Sequence, residues 1–167
     1  MKTAIRLSIT FFMIKILSAQ GISQKQVLET WDRLTTMSVE SVEKMPAEQF
    51  DFSPIEPLAN FAKLVNHTTG ANYLFAATVK LERPKVDNNA TEKTDVIKNL
   101  KKSFAFIKGG IEKLSDNDLA EQIDWFGRKM SRLNAILTMT DHLQREHGKI
   151  ITYLRLKKVA PAQSAGW

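Results

Sequence analysis

Residues 138–164 read TMTDHLQREHGKIITYLRLKKVAPAQS, and this stretch decides the predicted fold. Together with the residues just before it, it repeats apolar or small residues at alternating steps of three and four, the pattern of a long amphipathic helix. The repeated positions are Leu133, Ile136, Thr140, Leu143, His147, Ile150 and Leu154. The pattern predicts a helix from about Ser131 to Lys158, with His142 and Glu146 along the edge of its buried seam.

The remaining histidine lies in a second apolar stretch, LANFAKLVNHTTGANYLFAA at residues 58–77. Leu64, His67, Ala71 and Leu74 share one stripe of a helix there. We therefore expect His67 to point into a packed seam rather than at solvent. Two facing helices that direct imidazoles and a carboxylate into a shared interior are one way in which a helical bundle builds a metal site.

Helical geometry limits which residues can share an ion. His142 and Glu146 are four residues apart, or about 40° around a helix, so both can reach one ion. His142 and His147 are five apart, or about 140° around, and cannot both bind one ion from a regular helix. Two arrangements stay open: His67 joins His142 and Glu146, or His147 acts by itself. A hydrogen-bonded core histidine at position 67 and a surface pair of His142 with Glu146 are the alternatives without metal.

One further helix is predicted before the segment that carries His67. The first opens at Ser23, where Gln26 completes a capping box. After the loop at residues 46–52, Ser53-Pro54-Ile55-Glu56 has a serine cap, a proline at the first helical position and a glutamate that completes the box. The second helix, which carries His67, is therefore predicted from Ser53 to about Val79.

A polar linker, Glu82 to Thr94, separates the second helix from the third. The third helix has apolar residues at regular spacing, namely Ile97, Leu100, Phe104, Ile107, Ile111 and Leu114. Gly109-Gly110 interrupts it, which indicates a close helix contact or a kink, and Ser115 caps a short turn after it. With no strand-like alternation elsewhere, the chain is predicted to be an all-α four-helix bundle.

Composition excludes several classes of function. The chain has 167 residues, enough for one domain with a real core, and no cysteine, which excludes disulfides, thiol nucleophiles and thiolate metal sites. Its net charge of +6 includes Lys2, Arg6 and Lys15 near the N-terminus. The remaining basic residues are spread along the chain, which favours solvated helix faces over nucleic-acid binding.

The N-terminal residues have the pattern of a targeting segment. Lys2 and Arg6 precede a short apolar run, LSITFFMI, which is shorter than the ~20 residues of a spanning helix. We expect a signal peptide within residues 1–21, cleaved after Ala19 or Gly21, followed by a domain at residues 22–167. The protein would then be exported to the periplasm or secreted, without stable membrane insertion after cleavage. The alternative is a cytoplasmic protein with a frayed N-terminus.

The two histidine stretches resemble the DinB/YfiT-like family of four-helix-bundle proteins. The residues that carry the resemblance are MPAEQFDFSP at 45–54, LVNHTTGANYL at 64–74 and the run from Asp141 to Pro161 with its GKIITYLRL block. The resemblance extends from about Gln24 to the C-terminus. It implies a divalent-metal site of three residues; some members are thiol-dependent transferases or isomerases, and many have no assigned reaction.

One position departs from the family pattern. Counted back from Gly148, the family's two histidines fall at 142 and 146, and this chain has Glu146 there, with a histidine one residue later. A carboxylate can replace an imidazole as a ligand of zinc, nickel or iron, and mycothiol-dependent members are similar in using a glutamate. The resemblance thus implies that His67, His142 and Glu146 bind the metal, with His147 as the alternative third ligand.

The leading functional hypothesis is a metal-dependent hydrolase or thiol-dependent transferase that acts on a small molecule. Export would favour hydrolysis, because a cytosolic thiol would be hard to obtain. The alternatives are a non-catalytic bundle that binds metal or an apolar ligand, and a purely structural interaction protein. No catalytic base is evident beyond Glu146, which would be occupied as a ligand. A homodimer is expected from the resemblance, and no nucleic-acid partner is expected.

Overall fold

The computed structural model describes residues 21–163 and contains four long helices, as predicted. The expected signal peptide lies almost wholly outside these residues. In chain order the helices and strands are α1 (Gln24–Lys44), α2 (Phe61–Leu74), α3 (Lys93–Ile111), α4 (Asp116–Ala120), β1 (Gln122–Trp125), β2 (Arg128–Ser131) and α5 (Arg132–Leu156). Two 3-10 turns, Ala47–Gln49 and Ala76–Val79, precede and follow α2. The all-α four-helix bundle is confirmed.

The four long helices pack around a common core, and each contacts two of the others. α1 contacts α3 and α5, and α2 contacts the same two helices from the opposite side. The central side chains come from all four helices and are fully buried, among them Trp31, Phe61, Leu100, Ile107, Ile136, Met139, Leu143 and Ile150. Trp31 also donates its indole N–H to the carbonyl of Phe104 at 3.2 Å, which satisfies its polar group inside the core. Among the described residues no helix is long and apolar enough to cross a membrane.

Three of the predicted helix starts are confirmed. Ser23 accepts from the Gln26 backbone, and the Gln26 side chain in turn accepts from the Ser23 N–H. Ser115 and Asp118 form the same reciprocal box at α4. Ser131 caps α5 by accepting from the Asn134 N–H. Each box satisfies amide groups that the first turn leaves without an intrahelical partner.

The predicted start of the second helix at Ser53 is wrong. α2 begins at Phe61, where Asn60 is the cap and accepts from the Lys63 N–H. The Ser53 hydroxyl instead donates to the carbonyls of Ile55 and Leu58 within a turn. The physical reason is Pro57, which has no N–H for the first intrahelical bond and restricts the residue before it to extended conformations.

A β-hairpin, which was not predicted, lies between α4 and α5. β1 pairs antiparallel with β2 in the register Gln122↔Ser131 to Trp125↔Arg128. Phe126 and Gly127 form the two-residue turn with φ of 52° and 79°, which matches the right-handed twist of a hairpin. Strands of four residues are too short for alternation to stand out in the sequence.

Gly110 explains the paired glycines of α3. A methyl group at its Cβ position would lie 2.5 Å from the Cγ2 of Val79, whereas one at Gly109 would meet nothing within 4 Å. The close approach of α3 to the turn after α2 therefore requires a glycine at position 110 alone. This is the close contact that the sequence indicated as one of two alternatives.

Candidate metal centre

His142 and Glu146 lie on α5, one turn apart, on the side that faces α2. Glu146 is buried with 2% exposure. His142 is half-buried, and its ring packs edge-on against Phe75 at a centroid distance of 5.7 Å. A carboxylate in such a position is costly unless other groups compensate its charge.

His67 approaches this pair from α2. Its Nε2 lies 3.9 Å from the Oε1 of Glu146, and its ring centroid lies 5.4 Å from that of His142. One candidate ligand atom from each of the three residues lies within 4.8 Å of the other two. The tertiary structure thus brings together the three residues that the sequence nominated as metal ligands.

The expectation that His67 points into a packed seam is wrong. Its side chain is 59% exposed, and Leu74 on the same predicted stripe is 42% exposed. The buried face of α2 is instead centred on Phe61, Val65 and Thr69. His67 is therefore at the rim of this face, open to solvent on one side and to Glu146 on the other.

Two buried polar atoms of this group have no hydrogen-bond partner among the described residues. They are the Nε2 of His142 and the Oε2 of Glu146. Leaving such atoms unpaired costs about 1–3 kcal/mol each. Both are atoms that coordinate divalent metals, so the donor set fits an ion bound by two imidazoles and one carboxylate. Metal bonds of about 2.0–2.2 Å would draw the three atoms closer together.

Lys149 contributes a positive charge beside the site. Its Nζ lies 2.7 Å from the Oε1 of Glu146 and donates a hydrogen bond to it. The lysine side chain is 56% exposed, so it can move away from the carboxylate at little cost. Lys149 therefore compensates the buried charge of Glu146 in part, and its positive charge would weaken the attraction of this carboxylate for a metal ion.

The electrostatic environment favours a neutral His142. Burial lowers the pKa of His142; the carboxylate of Glu146 acts against this, and the neighbouring His67, Arg145 and Lys149 lower it further. Metal binding requires the neutral imidazole, because the coordinating nitrogen must carry a free lone pair. The ring is therefore in the state that can act as a ligand at neutral pH.

His147 lies away from this group. Its Nε2 shares a hydrogen bond of 3.1 Å with the hydroxyl of Ser41 on α1, and burial lowers its pKa. α5 stays regular and turns His147 towards α1.

Tyr153 lies on the same helix as His142 and Glu146, but its contacts are away from the site. Its hydroxyl donates to the carbonyl of Ala59 at 2.7 Å, and its ring packs against Phe52 and Phe61. The tyrosine thus ties α5 to the loop before α2. Its role in this structure is to position the helix that carries His67.

A cavity of about 530 Å³ adjoins the two histidines. Its lining includes His67 and His142, apolar side chains of α2, and residues of the linker between α2 and α3. The polar lining residues that sequence reasoning missed are Lys63, Asn66, Arg83, Asn88 and Asn89. The sequence alone predicts the linker only as a connection between two helices. Arg83 and the paired asparagines are the feature of the sequence that could have indicated a polar lining.

The linker is held against α2 by two contacts. Asn66 donates to the carbonyl of Ala90 at 2.7 Å. The Asn88 amide packs so closely on Gly70 that a Cβ there would lie 2.8 Å from its nitrogen. The linker is thereby placed as one wall of the cavity.

Three aromatic side chains, Phe75, Trp125 and Phe126, pack together beside His142. Phe75 stacks on Trp125 with ring centroids 6.0 Å apart, and Phe126, at the tip of the hairpin, packs on both. Phe126 is 61% exposed. The hairpin therefore supports the Phe75 ring that packs against His142.

The sequence of this chain matches a known superfamily, and its fold matches solved structures. The sequence model of the DinB superfamily matches residues 29–150. A DinB-like protein from Bacillus cereus ATCC 10987 has a similar crystal structure, with a TM-score of 0.78 at 14% identity, over 86% of this chain and 99% of that one. A DinB-like protein from Bacillus subtilis gives 0.67 at 18% identity, over 83% and 96%. A conserved protein from Enterococcus faecalis gives 0.63 at 17%, over 82% and 98%. The comparison with curated proteins finds no match.

Proposed function

We propose that this chain, which belongs to the DinB superfamily, binds one divalent metal ion through His67, His142 and Glu146 and acts on a small molecule there. The observation that carries the proposal is the pair of buried, unpartnered atoms, Nε2 of His142 and Oε2 of Glu146, beside the imidazole of His67. Zinc, nickel and iron all accept such a set of ligands.

The openness of the site supports an enzyme over a structural metal centre. Structural zinc sites are closed by four protein ligands, whereas catalytic sites have three and leave a position for water or substrate. Here three candidate ligands converge, and a cavity adjoins two of them. A bound metal would supply Lewis-acid activation of water or of a thiol. The chain's own contribution is to orient the ligands.

Hydrolysis is the leading reaction class and thiol transfer is the second. A thiol transfer needs a thiol cosubstrate from outside, because the chain has no cysteine. The two classes are separated by activity of the metal-loaded protein on ester and amide panels, with and without added low-molecular-weight thiols. Metal-dependent turnover without thiol supports hydrolysis, and turnover that needs the thiol supports transfer.

Metal analysis of untagged protein tests the proposed site directly. We expect about one zinc, nickel or iron ion per chain, and a loss of that ion in His67→Ala and His142→Ala. A ligand present at ~100 times its dissociation constant adds about 2.7 kcal/mol of stability. A chelator should therefore lower the melting temperature of the wild type but not of His67→Ala. Equal sensitivity of both proteins would remove His67 from the site.

We also propose that the protein is exported, from the basic and apolar pattern of residues 1–21. The intact mass of the protein recovered from the periplasm of an exporting host tests this. Cleavage after Ala19 or Gly21 is expected, and a periplasmic protein that still begins at Met1 would contradict it. The homodimer stays a prediction, which sedimentation of the purified protein would test.

A further inference from the structure

The cavity beside the histidines has an uneven distribution of charge. Lys63 on α2 and Arg83 on the linker line it, and no aspartate or glutamate within residues 21–163 does. Several other lysines and arginines in this part of the chain pair with a nearby carboxylate, but Lys63 and Arg83 form no ion pair there. Two unpaired cations at one cavity produce a positive potential that attracts anions.

The neutral part of the lining adds hydrogen-bonding groups. Asn66, Asn88 and Asn89 contribute amides to the same cavity. Asn66 is 6% exposed, and its Oδ1 has no partner among the described residues, while its Nδ2 is used to hold the linker. An unsatisfied buried acceptor of this kind is suited to a donor on a bound molecule or to a bridging water.

The third feature is an apolar side. Ala71, Leu74 and Phe75 also line the cavity. Leu74 is 42% exposed, so part of this surface is open to a ligand. The volume of about 530 Å³ is within the range of sites for small molecules.

From these three features, and resting on the proposed function, we infer that the cavity selects small anionic molecules with an apolar or aromatic body. Lys63 and Arg83 hold the anionic group, and the surface from Ala71 to Phe75 holds the body. The reacting part of the molecule then lies towards His67 and His142. Lys63 and Arg83 are thus residues that determine specificity; they are not placed among the metal ligands.

Benzoate and benzamide are matched probes for this inference, because they differ in charge and hardly in shape. Their affinities for the zinc-loaded protein can be compared by NMR titration. We expect benzoate to bind about tenfold more tightly than benzamide, since two partly exposed charge contacts contribute in this range. In the double variant Lys63→Met/Arg83→Met most of this preference should be lost, with benzamide affinity unchanged.

A double variant of equal charge is the control. Lys85→Met/Lys98→Met also removes two positive charges, and neither residue lines the cavity. This variant should keep the preference for benzoate. Equal binding of the two probes by the wild type, or an equal loss of preference in both double variants, would overturn the inference.

The same titration without metal separates this inference from the proposed function. A carboxylate can bind zinc directly, so benzoate should bind more weakly to the chelator-treated wild type. Its remaining affinity should still depend on Lys63 and Arg83. If the chain binds no metal, the proposed function fails, and the metal-free titration still decides whether the cavity binds anions. A benzoate preference that depends only on zinc would overturn the role of the two cations.

Discussion

The Nε2 of His147 lies 3.1 Å from the hydroxyl of Ser41, while the neighbouring residue Glu146 faces His67. This relationship distinguishes two residues that are adjacent in sequence. One step along a helix is a rotation of about 100°, so the two side chains leave α5 in different directions. Ser41 is itself buried with 1% exposure. The hydrogen bond directs the His147 side chain from α5 towards α1, away from the candidate metal centre.

The first prediction concerns this distinction. Glu146→Gln should lose the metal, because an amide is a poor replacement for the carboxylate ligand. His147→Gln should retain it and lose on the order of 1 kcal/mol of stability with the hydrogen bond to Ser41. Glu146→His should restore the usual ligands of the family and bind metal at least as well as the parent. Metal content and thermal unfolding of the three variants provide the test. Loss of metal in His147→Gln alone would make His147 the ligand.

The second prediction concerns Lys149. Its ammonium group occupies one oxygen of Glu146, so Lys149→Met should raise the affinity for zinc, on the order of threefold for an exposed lysine. Competition with a zinc-binding dye measures the change. Lys157→Met is a suitable control, because that lysine lies over the ring of Phe52 instead. Weaker zinc binding in Lys149→Met would mean that the lysine orients the carboxylate for the metal.

The third prediction compares the two glycines of α3. Gly110→Ala should destabilise the protein by about 1–3 kcal/mol, because its methyl group would overlap Val79. Gly109→Ala should stabilise it by up to ~1 kcal/mol, since the position is open and alanine favours the helix. Chemical denaturation of both variants measures the difference. Equal effects would show that α3 does not approach Val79 as closely as described.

The fourth prediction is a pH dependence at α4. Hydrogen bonds from Lys80 and from Ser115 hold the pKa of Asp118 far below its usual range. A lowered folded pKa stabilises the protein above the pKa of the unfolded state, about 3.9, and this contribution is lost as the pH falls further. The stability difference between the wild type and Asp118→Asn should therefore be largest at neutral pH and shrink below about pH 4.

Thermal unfolding at a series of pH values tests this dependence. Asp51→Asn serves as a control, because Asp51 is exposed and forms no ion pair within residues 21–163. It should show little stability difference from the wild type at any of these pH values. A constant difference for Asp118→Asn between pH 7 and pH 3 would contradict the assigned role of the Lys80 contact.

Local patterns in the sequence were sufficient for the four long helices, for the caps of two of them and for the cap of the short helix α4. Heptad spacing identifies the buried face of α5 whatever surrounds it, and the boxes at Ser23 and Ser115 depend only on residues three positions apart. The pattern was misleading at Ser53, where the cap and the glutamate were present but Pro57 prevents the helix. The hairpin escaped prediction because its stabilising contacts, such as Trp125 on Phe75, come from another part of the chain.

By itself the sequence determined the bundle, because helical periodicity is a local property that the spacing of residues records. Its resemblance to the DinB/YfiT-like family, and not the spacing, implied His67, His142 and Glu146 as the metal ligands. Only the tertiary structure decided that His67 is exposed, that Glu146 is buried opposite it, and that Lys63 and Arg83 line the same cavity. These relations depend on how α2, α5 and the linker pack together. Packing is set by contacts between residues far apart in the chain, and a spacing pattern contains no information on the distance between two helices.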